Sequence, residues 1–305
     1  MRVLNLVTNE RARFYRQQVE ALERRGVDCT TLAVPAAGDR DSRSVLDYAG
    51  FYLRAVRGAF GRFDVVHANY GLTGPPAVVQ PEHPVVLSLW GTDLFGRYGA
   101  VSRCVARRSD AVIVMSGAMA DALDTPCEVI PHGVDLSLFR PTDRDEAVAT
   151  VGWDPDAVNV LFPYAKTHGV KDYPRAARLV DRANAGAERR IELHTVTGLP
   201  HDRVPTYMNA ADALLLTSEH EGSPNVVKEA MGCRLPVVAT DVGDVAERLA
   251  GVTPSTVSDD DADLVAALRD VAADPRRSDG REAVRDLSLE RMAERIAAVY
   301  ERVTG

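Results

Sequence analysis

"DALLLTSEHEGSPNVVKEAMGCRLPVVATDV", residues 212–242, decides the fold. An apolar run ends at 218, a turn-rich stretch follows, a helical pattern occupies 225–232, and a second β-branched run begins at Pro236. Strand, loop, helix and strand in that order make a βαβ unit, and the spacing implies a parallel sheet. The same alternation extends in both directions. Before the quoted stretch come a strand at 159–165, a helix at 173–185, a strand at 191–196 and a short helix at 204–211. In the first half, strands are expected at 2–7, 29–34, 63–68, 84–90, 110–115 and 127–130, with helices at 11–26 and 44–62. A C-terminal amphipathic helix is expected over 288–303, with Ser288 as its N-cap.

A length of 305 residues favours two domains. The alternation breaks at "PHGVDLSLFRPTDRDEAV", so the boundary is expected near Pro141. The resulting fold class is α/β, with two doubly wound parallel-sheet domains facing a cleft, and ligands of such sheets bind at the carboxyl ends of the strands.

Composition narrows the function. The net charge of -8 argues against a nucleic-acid partner. No apolar run reaches the roughly 20 residues of a membrane span, and the N-terminus lacks a secretory pattern, so a cytoplasmic location is expected. Cys29, Cys104, Cys127 and Cys233 have no metal-ligand spacing and read as small hydrophobes. Of 36 basic residues only Lys166, Lys171 and Lys228 are lysines. Where lysine survives such a bias, a compact ammonium is what the site needs.

In the opening stretch, Ser223 reads as the N-cap and Pro224 as the first helical residue. Gly222 leaves the backbone open, and the free N–H groups of the helix suit a phosphate. Glu221 and Glu229 lie eight positions apart, about 12 Å if the chain between them is mostly helical. They could bind two polyols of one extended ligand, or serve as a dipole-favoured acid and a solvated helix residue; both readings stand at this point. "LFPYAKTHGVKDYP" carries Lys166, His168 and Lys171, and could clamp a diphosphate or be a solvated loop.

The C-terminal half resembles the retaining glycosyltransferases of family four, which have the GT-B fold of two Rossmann-like domains. "EGSPNVVKE" is similar to their Glu-x7-Glu motif, "LPVVATDVGDVAE" to the strand and loop after it, and "VIPHGVDLSLFRP" to the segment entering their linker. "VLFPYAKTHGVKDYPRA" takes the place of their basic phosphate loop, and "VPTYMNAADALLLTS" that of the elements before the motif. "DVVHANYGLTG" and "VVLSLWGTDLFG" resemble less specific segments facing the cleft.

The resemblance implies an acceptor-side domain over 1–140, a donor-binding domain over 141–287, and a C-terminal helix, 288–305, packing back toward the first. It implies a nucleotide-sugar donor and a glycan or lipid-linked acceptor, with no metal and no cofactor. Glu229 would hold the ribose and Glu221 the donor sugar, with Gly222 and Ser223 approaching by backbone. Asn225 and Val226 would lend N–H groups to the distal phosphate. Lys171, with Lys166 or His168, would neutralise the leaving diphosphate. His67, Asn69, Trp90 and Asp93 are acceptor-side candidates; His67, Asn69 and Asp93 each have a structural alternative, and Trp90 can stack on a sugar face. Two departures stand out: "LVTNERARF" has no glycine turn, and Trp90 replaces a frequent histidine. These departures keep two other readings open, a non-catalytic sugar-nucleotide-binding protein and a sugar-nucleotide epimerase.

Finally, "FYLRAVRGAFGR" (51–62) sets Arg54, Arg57 and Arg62 into an apolar face. Peripheral contact with an anionic inner-membrane face is one reading, and an ordinary core helix is the plainer one. The sequence sets no oligomeric state.

Overall fold

Strand β1 (Arg2–Val7) is buried from its second residue to its last, the pattern of a strand covered on both faces. It pairs in parallel with β2 (Asp28–Ala33) on one side and β3 (Val65–Asn69) on the other. The sheet continues through β4 (Val85–Ser88), β5 (Ala111–Val114) and β6 (Glu128–Val129), all parallel. In the second sheet β7 (Val158–Phe162) is flanked by β8 (Ile191–Thr195) and β9 (Ala213–Leu216), followed by β10 (Val237–Ala239) and β11 (Thr256–Val257). The computed structural model describes residues 1–35 and 43–305.

The chain divides into unit 1, Met1–Gly133 with Leu289–Gly305, and unit 2, Val134–Ser288. The division falls before the expected boundary at Pro141. Phe139 is fully buried in the core of unit 2, and Arg281 donates to the carbonyls of Phe139 and Leu136 at 2.7 and 2.9 Å. The charge cluster read as a break forms a helix, Arg144–Val151, because the Asp143 side chain caps it at Glu146 N. Arg144 then pairs with the buried Asp212.

In unit 1, helices α1 (Arg13–Arg24), α2 (Val45–Ala59) and α3 (Gly74–Val79) pack on the sheet. The C-terminal helix, Leu289–Thr304, buries Met292, Ala293, Ile296, Val299 and Tyr300 in the same core. Its Tyr300 hydroxyl lies 2.6 Å from His67 Nδ1 on β3.

Strand order β8-β7-β9 shows that the winding of the second sheet reverses between β7 and β9. In unit 1 it reverses between β1 and β3. Such switch points open a crevice at the carboxyl ends of the strands, where ligands of these sheets bind.

Candidate active site

Both basic and acidic groups of unit 2 come from the two strands at its switch point. After β7 the chain runs through Tyr164, Lys166 and His168 into a short 3-10 turn, Gly169–Lys171. After β9 it runs through Ser218 and Glu221 to the helix Asn225–Gly232. Thr217 Oγ1 donates to the carbonyls of Lys171 and Asp172 at 2.9 and 3.0 Å, and Glu219 N donates to Val170 O. These bonds fasten the two loops to each other. They bring Lys171 onto Glu221 as an ion pair, both side chains being nearly buried. Ser218 Oγ donates to the same Glu221 oxygen at 2.8 Å.

The ammonium of Lys171 also lies 4.1 Å from the centre of the Tyr164 ring, a cation–π contact. Burial pushes the Tyr164 hydroxyl well above its usual range, and the negative charges of Glu221 and Glu229 push it the same way. Tyr164 therefore senses both carboxylates of the motif. Lys166 is exposed and rests on the Tyr173 ring at 4.7 Å, and His168 is exposed on the same loop.

Glu229 is not a solvated helix residue: its side chain is 10% exposed and accepts from His201 Nε2 at 2.9 Å. The expectation that Ser223 caps the helix is corrected. Pro224 takes the N-cap position with extended backbone, no side chain caps the helix, and the first helical residue is Asn225. The Ser223 hydroxyl instead accepts from Lys228 Nζ at 3.3 Å. Since residues 221–224 are not helical, the 1.5 Å rise does not apply across the whole span between the carboxylates. Asn225 Oδ1 is buried with no hydrogen-bond partner among the described residues.

Lys228 is 1% exposed. Desolvation lowers its pKa from 10.5 to about 8, against the opposing pull of Asp244 and Glu229, with Arg248 adding to the lowering. It lies inside the unit, behind the loop that it braces.

Sequence reasoning missed Tyr164, Ser218, His201 and Gly243. Gly243, in the loop after β10, has φ +61°, and a Cβ there would lie 2.3 Å from Gly222 O and 3.0 Å from Glu221 O. Its lack of a side chain lets the backbone of Glu221–Gly222 take its place. The glycine was visible in "ATDVGD", but its neighbour was not, being a long-range contact.

Unit 1 places its acceptor-side candidates differently. His67 is fully buried, with Nδ1 at Tyr300 and Nε2 2.8 Å from Ser88 Oγ, and burial lowers its pKa to about 3. Asn69 is equally buried and bonded to Gln18, Asn5 and the His67 carbonyl. Asp93 accepts the backbone N–H groups of Gly71, Trp90 and Gly91, and burial raises its pKa against their pull. In all three, protein groups occupy the polar side-chain atoms, and they brace the ends of the sheet from within. Trp90 differs. It is half-buried, with ring centroids 4.7 Å from Phe14, 5.7 Å from His132 and 6.0 Å from Tyr70. This aromatic cluster stands after β4 and beside the β1–β3 switch point, and the Tyr70 backbone is strained at φ 148°.

Among the described residues no group of three or more His, Cys, Asp or Glu side chains is arranged to hold a metal ion.

Comparison with known proteins matches residues 12–138 to the family described as Glycosyltransferase Family 4 and residues 166–274 to that described as Glycosyl transferases group 1. The lipopolysaccharide core biosynthesis mannosyltransferase LpsB of Rhizobium meliloti is 32% identical over 247 residues, covering 67% of this chain and 69% of that protein. The MMP alpha-(1->4)-mannosyltransferase of Mycolicibacterium hassiacum is 28% identical, covering 83% and 74%. Among solved structures, sucrose-phosphate synthase from Thermosynechococcus elongatus superposes with TM-score 0.75 at 19% identity, covering 99% of both chains. Anabaena HepE in complex with UDP superposes with TM-score 0.74 at 16% identity, covering 99% of this chain and 100% of that one. The latter two share the GT-B fold. With a family match on each unit and a relative 32% identical over 69% of its length, the chain belongs to the glycosyltransferase family.

Proposed function

We propose that unit 2 binds a nucleotide-diphosphate sugar and that the protein transfers the sugar to an acceptor hydroxyl with retention, without a metal, in glycan or glycoconjugate biosynthesis. The observation that carries this reading is the Lys171–Glu221 pair, fastened across the switch point beside an uncapped helix N-terminus. A lysine ammonium has three donors. Glu221 takes one and the Tyr164 ring faces the ammonium, which leaves donor capacity for a phosphate. Asn225 and Val226 offer main-chain N–H groups to the distal phosphate. Gly222 and Ser223 approach the sugar by backbone, and Glu221 binds its hydroxyls. Glu229, oriented by His201, binds the ribose.

In the transfer, the bond from the anomeric carbon to the diphosphate oxygen breaks and its electron pair stays on the diphosphate. Lys171, with Lys166 and His168, stabilises that charge. The acceptor oxygen forms the new bond from the same face, and its proton passes to a phosphate oxygen. Trp90 offers a ring face for an acceptor sugar. The mannosyltransferase names of two relatives and the UDP complex of HepE support this class of reaction.

The test is a thermal-shift panel of nucleotide sugars followed by transfer assays. A matching donor at 100 times its dissociation constant adds about 2.7 kcal/mol. Glu229→Ala should lose the shift and the transfer together. Binding without transfer to extract acceptors would sink the enzyme reading, and product formed from donor alone would indicate an epimerase.

A further inference from the structure

Helix α2 is apolar on two sides, and its own unit uses only one. Inward, Phe51, Ala55 and Ala59 are buried to 1% or less. Outward, Leu46, Leu53 and Phe60 recur every seventh residue and are 81%, 64% and 61% exposed. Seven residues bring a helix back to within about 20° of its starting direction, so these three side chains stand in one line. An ordinary surface helix has one apolar stripe. Val45 at the start of α2 and Val79 at the end of α3 are also exposed, at 84% and 67%. Five of the nine exposed large hydrophobic side chains among the described residues therefore belong to α2, its C-cap and α3. Between α2 and α3 lies an apolar groove of about 380 Å³, lined by Tyr52, Leu53 and Val56 from one helix and Pro75 and Pro76 from the other.

Arginines surround the line. Arg43 precedes α2, Arg54 and Arg57 lie on it, and Arg62 follows it. Arg54 and Arg43 donate to the main-chain carbonyls of Ala33 and Pro35, which are neutral acceptors. None of the four pairs with a carboxylate among the described residues. The only acid in α2, Asp47, closes the capping box with Ser44. The chain as a whole carries -8, so this basic rim is local. A second copy packed symmetrically would set the same arginines against themselves. An anionic bilayer meets both the arginines and the apolar line, which is the composition of an interfacial helix.

We propose that the α2–α3 face of unit 1 docks on an anionic lipid bilayer, with Leu46, Leu53 and Phe60 entering the headgroup boundary and Arg43, Arg54, Arg57 and Arg62 meeting the headgroups. Docking does not depend on the transfer reading, and its failure would leave donor binding untouched.

The test is co-sedimentation of the full chain with vesicles of phosphatidylcholine alone or in equal mixture with phosphatidylglycerol. Binding should appear on the mixed vesicles only and weaken with added salt. Replacing Arg54 and Arg57 by alanine should reduce partitioning roughly 30-fold. Leu53→Glu with Phe60→Glu should abolish it, with unchanged melting temperature, while Leu199→Glu, an exposed site on unit 2, should leave it intact. Absence of binding to mixed vesicles overturns the proposal, as does equal binding to both kinds. A concentration-dependent dimer lost in Leu53→Glu would assign the face to a second copy instead.

Discussion

Gly243→Ala should disable the site. The new Cβ would start 2.3 Å from Gly222 O and 2.9 Å from the Gly222 carbonyl carbon, where ordinary contacts begin at 3.4 Å. The difference, 3.4 less 2.3, obliges the Glu221–Gly222 backbone to retreat by about 1 Å, and a displacement of that size at a reacting centre costs roughly 100-fold. The left-handed φ of +61° adds about 1 kcal/mol of strain for any side chain. Gly251→Ala separates the two effects, since Gly251 has φ +76° with no atom within 4 Å of the added Cβ. Gly251→Ala should lose about 1 kcal/mol in urea melts, and Gly243→Ala roughly 1–3 kcal/mol more because its Cβ meets backbone. Only Gly243→Ala should lose about two orders of magnitude in kcat/KM with the donor found in the thermal-shift panel. If Gly243→Ala kept a third or more of the activity, or Gly251→Ala fell equally far, the contact would not position Glu221.

Lys228→Met should remove a costly buried charge, keep the fold within about 1 kcal/mol of wild type, and raise the KM for donor more than it lowers kcat, because Ser223 loses the group that holds its hydroxyl; initial rates over a donor series check this. His67 should make unit 1 acid-sensitive. Its folded pKa of about 3 lies below the unfolded 6.5, so the unfolded state binds the extra proton between those values, and stability is present above pH 6.5 and lost as pH falls toward 3. The shift amounts to about 5 kcal/mol, and urea midpoints from pH 7 to 4 should show the loss in wild type and a shallower slope in His67→Gln.

The alternation of β-branched runs and helices was legible because the central parallel strands are covered on both faces, as "AVIV" of β5 and "ALLL" of β9 illustrate. Lys171, Glu221 and Glu229 were legible because they follow strands at the switch point. What was hidden depends on which side chains the fold buries together. A Ser-Pro pair before a helix ordinarily caps it, but a buried lysine five residues on captures the Ser223 hydroxyl. "VVHAN" gives no sign that its polar side chains are spent on one another and on Tyr300, since a ligand-binding polar residue and an internally satisfied one are written with the same letters. His201 reaches Glu229 across 28 residues with no periodic signal. For α2, the pattern showed an apolar helix with arginines, and only burial revealed that the face carrying Leu53 is turned outward.

The hydrogen bond between His67 and Tyr300 joins residues 233 positions apart. On the ribosome, unit 2 is a continuous stretch and emerges whole, whereas the core of unit 1 waits for its last helix. Until Ile296, Val299 and Tyr300 arrive, the His67 imidazole on β3 lacks its Nδ1 partner and the first sheet lacks part of its cover. Synthesis order therefore makes the second unit the first to be completed, and any stop codon before Tyr300 would damage the opposite end of the chain.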